Sequence, residues 1–127
     1  MGNKPDSKKV LIVDDDQNVL KMMQLRFEYE GYSVQTADSG AKAVEIAAGE
    51  GISMVLLDLT LQDTSGFEVL RRIKQLKPSL PVIMVTGNHE PEDAQRAIEL
   101  GAWDYVTKPV DFEYLKNLLS LSLPPET

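Results

Sequence analysis

Short apolar runs that each end in a polar residue are the feature that most constrains the fold of this chain. Four such runs precede a carboxylate, hydroxyl or ammonium group: 10–13 before Asp14, 54–57 before Asp58, 82–85 before Thr86, and 105–107 before Lys108. Short apolar runs separated by helical patterns predict a parallel sheet with crossover helices. Ligands of such sheets bind beyond the carboxyl ends of the strands. The sequence therefore predicts one functional edge, to which all four polar residues belong.

The pattern between residues 8 and 122 alternates between strand and helix five times. Strands are predicted at about 9–14, 32–37, 53–58, 81–86 and 103–107. Helices are predicted at about 17–30, 40–48, 66–76 and 91–99, followed by a fifth helix that uses Phe112, Leu115, Leu118 and Leu119. Five such units predict a doubly wound α/β fold with right-handed crossovers.

Apolar residues at helical spacing predict which face of each helix packs on the sheet. The predicted inward residues include Leu20, Met23, Phe27, Phe67, Leu70, Ile73, Ala94, Ala97 and Ile98. Trp103 is expected to pack at the start of the fifth strand. Asp16 is expected to cap the first helix, and Ser39 or Asp38 to cap the second.

Length and composition exclude several classes of protein. A chain of 127 residues with 43% apolar content is expected to form one domain, and no segment approaches the roughly 20 apolar residues that span a bilayer. The first nine residues lack the apolar core of a secretory signal. The chain has no cysteine, which excludes disulfides, thiolate catalysis and zinc-thiolate sites. A cytoplasmic location is therefore expected, without membrane binding.

The ends and the charge of the chain allow two further expectations. Residues 1–7 are polar and are expected to form a disordered leader, residues 8–122 the domain, and residues 123–127 a tail or the start of a linker. The net charge of −7 argues against binding of nucleic acid by this chain, because such binding depends on cationic side chains that contact phosphates.

The acidic residues that follow the first and third strands predict a cation site. Two carboxylates about 4 Å apart repel each other by about 4 kcal/mol at an effective dielectric constant of about 20. A raised pKa or a bound cation relieves such repulsion. If Asp14, Asp15 and Asp58 meet, their oxygen ligands favour a hard ion, and Mg²⁺ fits best. The alternative is that Asp14 and Asp15 only favour the start of the following helix, as Asp16 is expected to do.

Asp58 gains significance from the residues predicted beside it. Alone, it could be a turn residue that opens the loop after the third strand. Together with Mg²⁺, the ammonium of Lys108 and the hydroxyl of Thr86, its carboxylate forms a set suited to phosphoryl transfer. In that chemistry the cations offset phosphoryl charge, the hydroxyl binds an oxygen, and the carboxylate attacks phosphorus.

Five segments in order carry a resemblance to a known family. They are Val-Leu-Ile-Val-Asp-Asp-Asp (10–16), Leu-Leu-Asp-Leu (56–59), Ser-Gly-Phe-Glu-Val-Leu (65–70), Val-Thr-Gly (85–87) and Gly-Ala-Trp-Asp-Tyr-Val-Thr-Lys-Pro (101–109). The chain resembles the receiver (CheY-like) domain of two-component response regulators over about residues 8–121. The resemblance implies a flavodoxin-like fold, a five-stranded parallel sheet in the order 2-1-3-4-5 with helices on both faces.

The resemblance also implies a role for each residue that matches a family motif. Asp58 matches the phosphoacceptor, and Mg²⁺ would be held by Asp14, Asp15, Asp58 and the backbone carbonyl of Thr60, with Asp15 the direct ligand and Asp14 acting largely through water. Lys108 would pair with the phosphoryl group, and the Lys108–Pro109 peptide bond would be cis. Gln62 departs from the family pattern, which commonly has proline there, so a less rigid loop is expected.

Thr86 and Tyr105 match the switch pair of the family. Phosphorylation would turn Thr86 toward a phosphoryl oxygen, and Tyr105 would rotate inward and reshape the surface of the fourth helix, fifth strand and fifth helix. An ordinary half-buried aromatic is the alternative for Tyr105. Thr60 and Asn88 occupy positions that help to set phosphoryl lifetime in the family.

The implied partners are a sensor histidine kinase or a phosphotransfer protein, and a downstream effector domain or protein. Phosphorylation-dependent homodimerisation is a family expectation, and the 101–111 stretch is similar to receivers that precede transcription activators. Apart from its own phosphorylation and dephosphorylation, such a domain turns over no metabolite and is not an enzyme.

Other functions are less compatible with the sequence. A Rossmann or flavodoxin-type nucleotide site would need a glycine-rich or hydroxyl-rich turn where this chain has Asp14 to Asp16. An aspartyl-phosphate phosphatase would carry a second acid at position 60, which is a threonine. A phosphorylation-independent interaction domain on the same fold remains the alternative to a receiver.

Overall fold

The computed structural model describes residues 8–122, in which five strands alternate with five helices. The strands are β1 (Lys9–Val13), β2 (Ser33–Ala37), β3 (Met54–Leu57), β4 (Val82–Thr86) and β5 (Asp104–Thr107). The helices are α1 (Gln17–Tyr29), α2 (Gly40–Ala48), α3 (Gly66–Leu76), α4 (Pro91–Glu99) and α5 (Phe112–Ser122). The five strands and the helices α1 to α4 lie within two residues of their predicted bounds, although Asp14 and Asp58 follow their strands instead of ending them. The helix α5 contains the four residues that were predicted for it. The predicted leader and tail, 1–7 and 123–127, lie outside the described residues.

The strands form one parallel sheet in the order β2-β1-β3-β4-β5, which confirms the doubly wound, flavodoxin-like fold. The register pairs Val13 of β1 with Leu57 of β3. Asp14 and Asp58 are the next residues along these two strands and therefore emerge side by side. On the other side of β3, Thr86 ends β4 and pairs with Thr107 of β5, directly before Lys108.

The strands are rich in apolar residues because the central ones are covered on both faces. One buried cluster packs α2, α3 and α4 on one face of the sheet, and the other packs α1 and α5 on the opposite face. Alternate residues of each strand point to opposite faces, so that Leu57 joins the first cluster and Leu56 the second. This double burial holds the carboxyl edge of the sheet in a fixed position.

The helix starts follow the expected capping chemistry. The Asp16 side chain accepts hydrogen bonds from the backbone N–H of Asn18 and Val19, at 2.9 and 3.4 Å, and so caps α1 as predicted. Of the two predicted candidates for α2, Ser39 is the cap and accepts from Lys42 N–H at 3.2 Å. No helix within residues 8–122 is both long enough and apolar enough to cross a membrane.

The predictions that two side chains, Ile98 and Trp103, pack inward are wrong. Ile98 is 49% exposed because α4 turns only a narrow face to the sheet, on which Ala97 is fully buried. Trp103 is 51% exposed, because it precedes the edge strand β5 and attaches to the sheet by its backbone N–H, which donates to the Val82 carbonyl at 2.7 Å.

Candidate functional site

Two buried carboxylates share one ammonium group at the carboxyl edge of the sheet. Lys108 Nζ donates to Asp14 Oδ2 at 2.7 Å and to Asp58 Oδ2 at 3.1 Å. Asp14 is 4% and Asp58 7% exposed. The three residues follow β1, β3 and β5, so the parallel register gathers groups that are far apart in sequence. The structure thus brings together these three residues of the predicted site.

The second oxygen of each carboxylate accepts a hydrogen bond from the backbone N–H of the residue two positions later in the chain. Asp14 Oδ1 accepts from Asp16 N–H at 2.9 Å, and Asp58 Oδ1 accepts from Thr60 N–H at 3.1 Å. Such side-chain turns are the usual way in which aspartate shapes the exit of a strand. They fix the carboxylate planes and leave Thr60 exposed above Asp58.

Burial and the shared ion pairs shift the pKa values of this cluster. Burial raises the pKa of Asp14 above its ordinary value, although hydrogen bonds from Lys108 and from the Asp16 backbone oppose the shift. Burial alone would lower the pKa of Lys108, but hydrogen bonds to Asp14 and Asp58 outweigh it and raise that pKa. Lys108 therefore carries its charge at neutral pH and offsets the repulsion between the two carboxylates.

The donor set fits a hard cation. Asp15 lies half-buried next to Asp14, and the Thr60 backbone carbonyl belongs to the exposed loop that follows Asp58. These groups offer only oxygen ligands, which suits Mg²⁺ rather than a softer ion. Within residues 8–122, no three histidine, cysteine or acidic side chains are already gathered as a formed metal site. The cation between Asp14 and Asp58 in this structure is the Lys108 ammonium.

The predicted switch residues both contact Asn88. Thr86 is buried, and its Oγ1 accepts from Asn88 N–H at 3.3 Å. The half-buried Tyr105 donates its hydroxyl to the Asn88 carbonyl at 2.9 Å. Burial, together with the charges of Asp93 and Asp58, raises the pKa of the Tyr105 phenol, so it remains a neutral donor. Asn88 thus lies between the two predicted switch residues and is hydrogen-bonded to both.

The Asn88 side chain extends this network to the start of α4. Its Nδ2 donates to Asp93 Oδ2 at 2.9 Å, and its Oδ1 accepts from Glu90 N–H at 2.8 Å. Glu90, the N-cap residue of α4, makes no capping bond with its own side chain. Hydrogen bonds of Asn88 therefore join the end of β4 to the first turn of α4. A groove of about 510 Å³ lies between this loop and residues 59–65.

The lysine that bridges the carboxylates is held through its backbone as well. Lys108 N–H donates to the Thr86 carbonyl at 2.7 Å, and the Lys108–Pro109 peptide bond is cis. Lys108 is thus attached to the end of β4 while its side chain reaches Asp14 and Asp58.

Two residues of the site could not be recognised from the sequence by physical reasoning. A Cβ atom on Gly66 would lie 2.6 Å from Leu59 Cα and closer still to the Asp58 carbonyl oxygen, so only glycine fits directly behind the Asp58 backbone. Asp63 accepts from the backbone N–H groups of Gly40 and Ala41, at 2.9 and 3.1 Å. Gly66 lies in the Ser-Gly-Phe segment, which pointed to the site only through the family resemblance. No feature of the sequence pointed to Asp63.

Comparison with known proteins identifies the family. Residues 10–120 match the model of the response regulator receiver domain. The uncharacterized transcriptional regulatory protein YkoG of Bacillus subtilis (strain 168) is 42% identical over 106 residues, which are 84% of this chain. They are 46% of YkoG, so the chain spans about half the length of that relative.

Solved structures agree with this match. A CheY-like receiver domain protein from Methanospirillum hungatei JF-1 is 32% identical and superposes with a TM-score of 0.85 over 91% of this chain and 96% of that chain. A response regulator from Burkholderia pseudomallei, described with a phosphorylated aspartic acid and a calcium ion, is 27% identical with a TM-score of 0.83, over 91% of this chain and 66% of that chain. The chain therefore belongs to the response regulator receiver domains of two-component systems, regulatory modules that are phosphorylated on aspartate and are not classical enzymes.

Proposed function

We propose that Asp58 is the aspartate that accepts the phosphoryl group, from a sensor histidine kinase or a phosphotransfer protein. The observation that carries the proposal is the ion pair of Asp58 with Lys108, beside the buried Asp14 and at the carboxyl end of the central strand β3. A phosphoryl group on Asp58 would lie within reach of an ammonium that is already held there. Asp14 has the same two kinds of hydrogen bond, from Lys108 and from the backbone N–H two residues later, so the choice of Asp58 over Asp14 rests on the family motif that Asp58 matches.

The transfer forms one bond and breaks one. An Asp58 carboxylate oxygen attacks phosphorus while the P–N bond of the donor phosphohistidine breaks, and the bonding electrons leave on the imidazole nitrogen, which takes up a proton. Lys108 exchanges its contact with the Asp58 carboxylate for a phosphoryl oxygen. The Thr60 N–H holds the other carboxylate oxygen during attack. Later hydrolysis of the acyl phosphate by water restores Asp58, so that the domain catalyses only its own phosphorylation and dephosphorylation.

Mg²⁺ is the proposed cofactor, held by Asp14, Asp15, Asp58 and the Thr60 carbonyl. When bound, it neutralises charge on the phosphoryl oxygens. The chain's own contribution is to supply oxygen ligands on two adjacent strand ends and to keep Lys108 charged beside them. Thr60 and Asn88 line the groove beside residues 59–65 and are proposed to tune the lifetime of the phosphoryl group.

The switch is proposed to act through Thr86, Asn88 and Tyr105. A hydrogen bond from Thr86 to a phosphoryl oxygen removes its hydroxyl from Asn88 N–H and stabilises the inward position of Tyr105. Since Tyr105 is already bonded to Asn88 here, phosphorylation would shift an existing equilibrium instead of creating a new state. The affected surface comprises α4, β5 and α5.

The output of the whole protein is also a proposal. Residues 8–122 are proposed to form the receiver domain, which contains the matched residues 10–120. Relatives such as YkoG are transcriptional regulators, which supports a downstream effector domain or protein, and the α4, β5 and α5 surface is the proposed place of a phosphorylation-dependent homodimer. A cytoplasmic location of the reaction is proposed as well. No direct contact of this chain with nucleic acid or membrane is proposed.

The test is intact mass spectrometry after incubation with acetyl phosphate, with and without Mg²⁺. Wild type should gain one phosphoryl group only with Mg²⁺, and Asp58→Asn should gain none. Asp38→Asn is the matched control, because it makes the same change at an aspartate whose side chain bonds Gln17 and Lys42 and, in the described hydrogen bonds, none of Asp14, Asp58 and Lys108. An adduct on Asp58→Asn would refute the assignment. No adduct on wild type, with Mg²⁺ shown to bind, would favour a receiver that needs its kinase or a phosphorylation-independent interaction domain.

A further inference from the structure

The loop that follows Asp58, residues 59–65 and here named the acceptor loop, is closed at its base. Thr60 and Ser65 form an antiparallel bridge, and Gly66 N–H donates to the Leu59 carbonyl at 2.6 Å. Thr60 N–H in turn bonds Asp58 Oδ1 at 3.1 Å. The position of the loop therefore sets the direction of one donor and one carbonyl oxygen at the proposed phosphoacceptor.

The tip of the acceptor loop is attached to a different element by a single side chain. The two oxygens of the exposed Asp63 carboxylate accept separately, Oδ1 from Gly40 N–H at 2.9 Å and Oδ2 from Ala41 N–H at 3.1 Å. These are the first two amides of α2, which have no partner within the helix. Both hydrogen bonds lower the pKa of Asp63, so its carboxylate is negatively charged at neutral pH. The start of a helix favours a negative charge.

Close packing beneath this attachment makes α2 a firm support. Gly40 is buried, and a Cβ atom there would lie 2.8 Å from Val69 Cγ2 and closer still to Thr64 Cγ2. Thr64 belongs to the acceptor loop and Val69 to α3. The start of α2 thus touches both the loop and the helix that follows it.

We propose that Asp63 is a positioning residue for phosphorylation of Asp58, because it attaches the acceptor loop to α2 and so fixes Thr60 over the carboxylate. This inference rests on the proposed function for its activity measurement. Asp63 contacts neither Asp58 nor Lys108 in the described hydrogen bonds, and acts through the backbone of the loop. Small displacements of reacting groups reduce rates by large factors, so loss of the attachment should be visible in the reaction itself.

A merely structural role is the alternative, and the chain offers a matched control. Ser39 caps the same helix through Lys42 N–H, and none of the described hydrogen bonds joins its side chain to the acceptor loop. Ser39→Ala and Asp63→Ala therefore each remove capping from α2, and only the second releases the loop. Asp63→Asn keeps one acceptor oxygen, so its phosphorylation rate and its Thr60 protection should lie between those of Asp63→Ala and wild type.

The experiment combines two measurements on the same variants. The first is amide hydrogen exchange of residues 59–66 in the metal-free protein, in which Asp63→Ala should lose protection at Thr60 and Ser39→Ala should not. The second is the rate of Mg²⁺-dependent phosphorylation by acetyl phosphate, which should fall about 10-fold in Asp63→Ala and stay within about twofold of wild type in Ser39→Ala.

Each outcome decides the proposal. Equal rates and equal Thr60 protection in Asp63→Ala and Ser39→Ala would overturn it and leave Asp63 as a helix cap. Slowing that is partly rescued in Asp63→Asn, with loss of Thr60 protection, would support it. If wild type takes up no phosphoryl group from acetyl phosphate although Mg²⁺ binds, the proposed function loses its support, whereas the exchange measurement still decides whether Asp63 fixes the loop.

Discussion

The Tyr105 hydroxyl donates a 2.9 Å hydrogen bond to the Asn88 carbonyl, and this bond joins the edge strand β5 to the loop that precedes α4. Asn88 N–H also donates to the Thr86 hydroxyl. A change at the buried Thr86 can therefore reach the half-exposed Tyr105 through one intervening residue. The described hydrogen bonds link the two proposed switch residues through the backbone of Asn88.

Tyr105→Phe should remove this coupling while keeping the ring. We expect the free energy of unfolding to fall by about 1 kcal/mol, the usual net value of one hydrogen bond, and the backbone amide signals of residues 88–90 to shift. Urea denaturation and NMR spectra measure the two effects. The control is Tyr29→Phe, at an 89% exposed tyrosine, which should change stability by less than about 0.5 kcal/mol. Unchanged amide signals in Tyr105→Phe would contradict the coupling.

Lys108→Ala should retain Mg²⁺ binding and lose switching. The substitution removes the ammonium between Asp14 and Asp58, so their repulsion should lower the stability of the metal-free protein, and Mg²⁺ should restore it. Calorimetric titration and thermal unfolding with and without Mg²⁺ measure both effects. Lys116→Ala, which removes an ammonium paired with Glu30 and Glu113, is the control and should show no such Mg²⁺ dependence. Loss of Mg²⁺ binding in Lys108→Ala would show that the lysine helps to build the metal site.

Asp14→Asn should stabilise the metal-free protein at neutral pH. Burial raises the pKa of Asp14 in the folded state, whereas the unfolded chain has the ordinary value of about 4. The unfolded state therefore loses its proton first as pH rises, and folding stability falls until the folded pKa is passed. At neutral pH this raised pKa lowers the free energy of unfolding of the metal-free protein, and Asp14→Asn removes that loss.

The pH profile distinguishes this effect from a general gain in packing. Urea denaturation of wild type and Asp14→Asn should give a difference at pH 7 that shrinks on acidification and is constant below about pH 4. The low pKa values of Asp63 and Glu68 act in both proteins and cancel in the difference. A difference that does not depend on pH would contradict the assigned origin.

Gly66→Ala should be poorly tolerated. The added methyl group meets backbone atoms of Asp58 and Leu59, which cannot turn away as a flexible side chain would. Overpacking of this kind costs about 1–3 kcal/mol, and the displaced Asp58 should also be phosphorylated more slowly. Gly87→Ala is the matched control, because a Cβ atom there meets nothing within 4 Å. Equal stability of the two variants, measured by denaturation, would be inconsistent with the close approach at Gly66.

The sequence predicted the features that depend on local patterns. Apolar runs that end at Asp14, Asp58 and Thr86 located the strand ends, and the parallel arrangement then placed these residues at one edge. The assignment of individual roles needed the family resemblance as well, because a lone aspartate after a strand is also an ordinary turn residue.

Features that depend on distant contacts were not predictable in this way. Helical spacing marked Ile98 as inward, but it cannot show how narrow the buried face of α4 is. The partners of Asp63 lie 23 and 22 residues earlier in the chain, so no local pattern reveals that this loop residue caps α2. Gly66 is required by atoms of the preceding loop, which become its neighbours only after folding.

The order of the strands separates chemistry from recognition within this small domain. Because β1 lies directly beside β3, the distance between Asp14 and Asp58 depends on one register and not on the excursion of the chain through α1, β2 and α2. The turns at the opposite edge can therefore change length, and the outer helix surfaces can change composition, without disturbing the two carboxylates. Paralogous copies of such a domain can acquire different partners through substitutions on their surfaces alone, while the phosphoryl chemistry stays constant.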